Sequence, residues 1–122
     1  MRSGLWVLAG LGGGLGSLLR YLLARWAGQR FAGAFPWGTL TANCIGALLL
    51  GALAGYGPPE MWSVLLGTGV MGGLTTFSTW MLETVRLFEE GEHRAAWINI
   101  LAPLPIGIVL FAAGMAMGRL LI

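Results

Sequence analysis

The run Gly67-Thr68-Gly69-Val70-Met71-Gly72-Gly73-Leu74-Thr75-Thr76-Phe77-Ser78-Thr79-Trp80 decides how this chain can fold. Two adjacent glycines followed by two β-branched threonines are poor material for a continuous helix. Yet they lie near the middle of an uncharged stretch, Met61 to Leu82. Unwound backbone at membrane depth survives only where it is buried in protein or lines a cavity, because its N–H and C=O groups need partners. A span broken here offers helix termini and free carbonyls as an ion site. The other reading is an unbroken helix whose glycines pack on a neighbour and whose hydroxyls bond back to carbonyls one turn earlier. The residues alone leave both open.

Composition explains why membrane depth is the relevant setting. The 122 residues are 57% hydrophobic and 10% charged, against roughly 25% charged in soluble domains. The charges are seven Arg, no Lys, five Glu and no Asp, with one His. A soluble domain of this size must cover most of itself with water-compatible groups, so lipid has to cover this one. Cys44 stands alone, which excludes an internal disulfide framework and a cysteine-based zinc cluster. A net charge of +2 is no footprint for nucleic acid. Acid–base catalysis fits poorly, with His93 the only imidazole and carboxylates nearly absent from the apolar stretches.

Outward from the central run, the charges divide the chain. Ser3 to Leu19, Phe31 to Pro59, Met61 to Leu82 and Ala95 to Gly118 carry none. Crossing the ~30 Å hydrocarbon core takes about 20 apolar residues in a helix. The expected architecture is therefore all-α and integral to the membrane. It is one domain with four transmembrane helices at roughly 4–24, 38–57, 61–88 and 95–120. Trp6, Trp26, Trp37, Trp62 and Trp97 fall near helix ends, where an indole keeps its N–H in the headgroup layer. Trp80 is the exception. A cleaved signal peptide is a rival for the first segment, but the stretch is glycine-rich and Arg20 interrupts it before a convincing cleavage site. Arginine counts on the two sides differ little, so orientation is weakly specified.

Glycine describes how the helices meet. Many of the 21 glycines sit four apart: Gly10 and Gly14, Gly12 and Gly16, Gly51 and Gly55, Gly69 and Gly73, Gly114 and Gly118. Such faces let backbones approach closely in lipid. Four helices packed this way leave no central pathway inside one chain. Any route for a solute must then lie between subunits, which implies an oligomer, most simply a dimer. Asn43 needs a hydrogen-bonding partner at membrane depth, as interhelical glue or on a watery path. Arg20 either snorkels to the interface or lends positive potential to a vestibule that concentrates anions. Glu83 follows the polar segment by one turn and can pair with an arginine or line an entrance. Glu89, Glu90, Glu92 and His93 read as a solvated loop.

Three patterns together, Gly13-Gly14-x-Gly16-x-x-x-Arg20-Tyr21, Gly38-Thr39-Leu40-x-x-Asn43 and Gly72-Gly73-Leu74-Thr75-Thr76-Phe77-Ser78-Thr79, resemble the CrcB/Fluc family of fluoride channels. Order, spacing and the four-span layout agree over essentially the whole chain. The resemblance implies a homodimer of oppositely oriented subunits, with fluoride pores at their interface and a central structural sodium ion. It implies passive export of cytoplasmic fluoride across the plasma membrane of a prokaryote, the inner membrane in a Gram-negative cell. Position by position, it puts Asn43 and Ser78 on the pore and Phe77 in an aromatic pair beside it. Thr39 and Thr79 become further pore hydroxyls, Arg20 the vestibule arginine, and Glu83 the acid after the aromatic motif. Carbonyls of Gly72 and Thr75, one from each side of a break near the middle of the third helix, would hold sodium. The chemistry is coherent, because amide and hydroxyl groups donate hydrogen bonds and an aromatic edge is the positive end of the ring quadrupole. Weak, multiple sites also release an ion that a ring of arginines would retain.

Two positions depart from the family pattern. Trp80 stands where a second Phe is usual. Indole also offers an apolar edge, and its N–H can donate. The fourth span has Asn99-Ile100-Leu101-Ala102-Pro103-Leu104-Pro105-Ile106-Gly107 where hydroxyl or amide groups are usual. Its prolines leave carbonyls near Asn99 and Leu101 without donors, and Asn99 is a further candidate for the pore. The alternative function is a small multidrug-type cation exporter of the same size. That chemistry needs a membrane-embedded carboxylate, and the first span has none, leaving only Glu60 or Glu83 near span ends. A non-transporting tetraspan partner would explain the glycines but not the concentrated Asn, Ser and Thr groups.

Overall fold

A computed structural model describes residues 2–31, 33, 35–75 and 77–121, the side chains of Arg2, Ser3 and Ser78 excepted. Regular structure among them is entirely helical: α1 (Arg2–Arg30), α2 (Trp37–Tyr56), a short α3 (Glu60–Trp62), a π-helical segment (Ser63–Met71), a short α4 (Gly72–Leu74), α5 (Phe77–Glu89), α6 (His93–Leu101) and α7 (Pro103–Leu120). Among the described residues three stretches are long and apolar enough to cross a membrane, Gly4–Arg30, Trp37–Tyr56 and His93–Leu120. The first helix thus continues beyond residue 24 to Arg30. The last pair runs on through Ala102, whose φ −67° and ψ −39° are helical. Pro103 begins α7, where a missing N–H costs the new helix nothing of its own. The α2 helix closes on Gly57, whose left-handed backbone (φ 66°, ψ 55°) lets its N–H reach the Leu53 carbonyl. Pro58 and Pro59 follow and stop any continuation.

The 60–89 stretch is interrupted near its centre. After the π-wound segment and the single turn of α4, Thr75 is extended at φ −80° and ψ 151°. Its amide and its hydroxyl both donate to the Met71 carbonyl, each at 2.9 Å, and helix resumes at Phe77. Thr76 lies outside the described residues. The back-bonding expected of an unbroken helix does occur, but here it finishes the helix at a glycine pair of low propensity. Neither half alone has the length of a span.

Two glycine seams build the packing. On α1, a Cβ at Gly12 would sit 2.9 Å from the Gly69 Cα, and one at Gly16 would sit 2.0 Å from the Val70 carbonyl oxygen. Gly73 comes as close to the backbone of Gly13. On the other side, Gly51 and Gly55 lie against backbone of Phe111 and Met115, while Gly114 and Gly118 lie against Leu48 and Ala52. Contact positions rise together along both partners, so each pair of rods is parallel. Gly10 and Gly14 have nothing within 4 Å.

Little is buried within one chain. Among the described residues the buried apolar ones are Ala27, Ala42, Val70, Met71, Leu74, Leu87 and Ala96. Trp6, Leu11, Leu15, Leu18, Ile108 and Val109 are each more than half exposed. An exterior this apolar needs lipid or another chain over it. The five tryptophans expected at span ends are all exposed, whereas Trp80 is partly buried.

Candidate functional site

The interruption opens onto a groove of about 520 Å³ between α2, the break, α5 and α7. Asn43 stands on its α2 wall, partly buried, with Ala47 and Leu50 further along. Thr75 contributes from the break. Phe77 and Trp80, one turn apart on α5, meet edge to face at 5.6 Å and 87°. Phe77 is 70% exposed. The α7 wall is Pro103, Leu104, Gly107, Ile108 and Phe111, with no polar side chain. A close approach fixes the α2 wall at the break: a Cβ at Gly46 would sit 2.2 Å from the Thr75 Cγ2. The groove therefore offers a carboxamide and aromatic rings, with the Thr75 hydroxyl already given to Met71 and no charged group among its lining residues. Such donors can replace part of an anion's hydration without binding it irreversibly.

Behind the groove, two hydrogen bonds tie α5 to α6, and a third within α5 closes the set. The Trp80 Nε1–H donates to the Asn99 carbonyl. The Asn99 Nδ2 donates to the Thr84 Oγ1 at 2.8 Å, and that hydroxyl donates to the Trp80 carbonyl at 2.9 Å. Asn99 is fully buried and is not among the groove residues. Its amide thus spends itself inside the helix pair.

Thr39 and Glu83 meet elsewhere. The Thr39 hydroxyl donates to Glu83 Oε1, joining α2 to α5. Both line a second cavity of about 180 Å³ beneath the aromatic residues Phe31, Phe35 and Trp37. Glu83 also borders a smaller hollow with Arg86 and Glu90. Arg20 is partly buried on α1 and lines none of these three cavities. Gly72 is exposed, its N–H donating to the Gly67 and Gly69 carbonyls. Thr79 is partly buried one turn before Glu83. Ser78 belongs to the first turn of α5, and its side chain lies outside the described residues.

The structure thus brings Asn43, Thr75, Phe77 and Trp80 together, and separately Thr39 with Glu83. Arg20, Gly72 and Asn99 stand apart from the groove. Sequence reasoning did not single out Thr84, Leu104 or Phe111. Thr84 had one available signal: it follows Trp80 by four residues, the spacing of a hydroxyl-to-carbonyl back-bond. The α7 residues had none, since nothing distinguishes a groove-lining leucine from a lipid-facing one.

Comparison with known proteins matches residues 7–115 to the family described as CrcB-like protein, Camphor Resistance (CrcB). The chain is 46% identical over 110 residues to the fluoride-specific ion channel FluC 2 of Mycobacterium tuberculosis, covering 90% of this chain and 87% of that one. It is 46% identical over 106 residues to FluC 1 of Rubrobacter xylanophilus, covering 86% of each. With FluC of Rhizobium meliloti it shares 42% over 122 residues, 95% of this chain and 97% of that one. These relatives are bacterial, and three helices here suffice to cross a membrane. The match extends over most of the sequence, including the α1 glycine seam and every residue of the groove, so the chain belongs to the CrcB family of multi-pass membrane proteins.

Proposed function

We propose that this chain is a fluoride channel, which lets fluoride leave the cytoplasm passively and so confers fluoride resistance. It catalyses no reaction. The observation that carries the reading is the groove, where a broken helix brings Asn43, Thr75, Phe77 and Trp80 around an uncharged, largely apolar passage. The names of the relatives, fluoride-specific ion channels, support the same ion. Asn43 donates through its amide, Phe77 and Trp80 offer ring edges, and the apolar α7 wall excludes competing water.

The groove is not enclosed within one chain, and Phe77 in its lining is largely exposed. A second copy of the chain closes it in this reading, which makes the functional unit a homodimer with pores at the subunit interface. Four spans per subunit follow when the two halves around Thr75 are counted as one crossing. The near-even arginine distribution suits insertion of the two subunits in opposite orientations. Arg20 then belongs to a vestibule outside the narrow part, Ser78 and Thr79 extend the line of hydroxyls, and Thr39, its hydroxyl held by Glu83, stays in the second cavity. The location is the plasma membrane of a bacterium, the inner membrane in a Gram-negative cell.

Carbonyls of Gly72 and Thr75 would hold a structural sodium ion, matched by the second subunit. Their fit rests on where the ladder ends. Thr75 spends its N–H and hydroxyl on Met71, then the backbone extends. The carbonyls there sit at the electronegative end of a helix, and uncharged oxygens suit a hard cation. Bound there, the ion would supply positive charge that holds the two interrupted helices together.

Purified protein reconstituted in liposomes tests this reading with a fluoride electrode. Electrogenic fluoride loss, much faster than chloride loss and weakened after sodium is removed, is the expected result. Proton-driven movement of an organic cation without fluoride flux would replace the channel by an exporter.

A further inference from the structure

In a regular helix the N–H of residue 103 donates to the carbonyl of residue 99. One step earlier that ladder is intact, with the Ala102 N–H on the Ile98 carbonyl at 2.9 Å. Pro103 has no N–H to give. The Asn99 carbonyl therefore lacks its helical donor, and Asn99 is only 1% exposed, so bulk water does not replace it. The donor found there is the Trp80 indole N–H, arriving from α5. Asn99 in turn bonds Thr84, and Thr84 bonds the Trp80 carbonyl, closing a ring of three hydrogen bonds. Trp80 and Pro103 both line the groove, whereas Asn99 and Thr84 do not. The indole N–H thus points out of the groove, and the ring meets the groove by its carbon atoms.

We propose that Trp80 and Pro103 act as one unit: the proline withholds a backbone donor, the indole N–H takes its place, and Trp80 faces the anion route with ring carbons instead of an N–H. What passes beside Trp80 rests on the channel reading above, while the pairing itself stands on the three bonds. It gives the two departures from the family pattern a single cause. A buried proline gap at Asn99 needs an indole at position 80, where a phenylalanine would leave the carbonyl unpaired.

The test uses full-length protein in detergent with its indole nitrogens labelled by ¹⁵N. The Trp80 indole resonance is assigned by its loss in W80F/P103A, a variant that regains the backbone donor and keeps the assignment available should W80F fail to fold. The expected result is an indole proton slow to exchange with deuterium and unmoved by fluoride at concentrations that saturate conduction. Thermal unfolding gives the second readout. W80F lowers the midpoint in the Pro103 background, and its loss shrinks to less than about half in the P103A background. A Trp80 resonance that shifts with fluoride but not chloride, or a W80F loss equal in both backgrounds, overturns the pairing. Absent fluoride flux in wild-type liposomes, with the indole protected and coupled to residue 103, would sink the channel reading and leave the pairing standing.

Discussion

Substituting Gly16 by alanine tests the seam that holds α1 to the interrupted arm. The added Cβ would lie 2.0 Å from the Val70 carbonyl oxygen and 2.8 Å from the Leu74 nitrogen. Ordinary contact begins near 3.4 Å, so the rods must part by about 1.4 Å to admit it. Both obstacles are backbone, and no side chain can rotate away to make room. Overpacking of this kind costs roughly 1–3 kcal/mol, and an unyielding partner puts Gly16 near the upper end. The better helix propensity of alanine returns about 1 kcal/mol, leaving a net loss of about 2 kcal/mol. Gly28 on the same helix is the control, since nothing lies within 4 Å of its added Cβ. Gly28→Ala should therefore hold or gain up to about 1 kcal/mol. Thermal unfolding in detergent followed by circular dichroism measures both, and fluoride efflux from liposomes measures the consequence for the break. Val70 and Leu74 flank the turn that ends at Thr75, so Gly16→Ala should also slow efflux. A Gly16→Ala protein as stable as Gly28→Ala would refute the close approach.

Other outcomes follow from the same geometry. Gly46→Ala drives a methyl onto the Thr75 Cγ2, at a cost of about 1–3 kcal/mol; Gly46→Ala/Thr75→Ser removes the obstructing methyl, keeps the hydroxyl on Met71, and should recover most of the melting temperature. Asn43→Ala or Phe77→Ala should slow fluoride efflux about 10- to 100-fold, the equivalent of one charge-assisted contact; unchanged rates with intact folding would move the route elsewhere. Thr39→Ala and Glu83→Ala should be non-additive in unfolding free energy by about 0.5–3 kcal/mol, because each removes the same bond; strict additivity in a double-mutant cycle would deny the pair.

Much of this architecture was legible in the residues, for reasons that also explain where reading failed. The break at Thr75 was one of two open readings, because two glycines and two threonines argue locally against helix while hydroxyl back-bonding could have kept it wound. Glycine spacing was a sound guide for Gly12 and Gly16, Gly51 and Gly55, Gly69 and Gly73, and Gly114 and Gly118. It misled for Gly10 and Gly14, which are spaced identically but face open space. Residues two apart lie on nearly opposite sides of a helix, at 3.6 residues per turn. Spacing marks a face without saying whether a neighbour occupies it. The destination of the Trp80 N–H was illegible, because Asn99 reaches it only through the hairpin of α5 and α6. The missing donor at Pro103 could be read locally, but its replacement could not. Thr39 and Glu83, 44 residues apart, likewise meet only through tertiary structure. The π winding of Ser63–Met71 has no marker in the sequence.

The reciprocal insertion of α2 and α7 has a mechanical result. Gly51 sits against the Phe111 carbonyl and Gly114 against the Leu48 carbonyl, immediately beside groove residues Ala47, Leu50 and Phe111. The gauge between those two walls is set by main chain meeting main chain, with no pliable spacer. Side chains hop between rotamers on the picosecond-to-nanosecond scale, and a passage framed by them would breathe at the same rate. Peptide groups in direct contact instead hold the two helices at a fixed spacing, so that only the side chains they carry into the groove remain free to move.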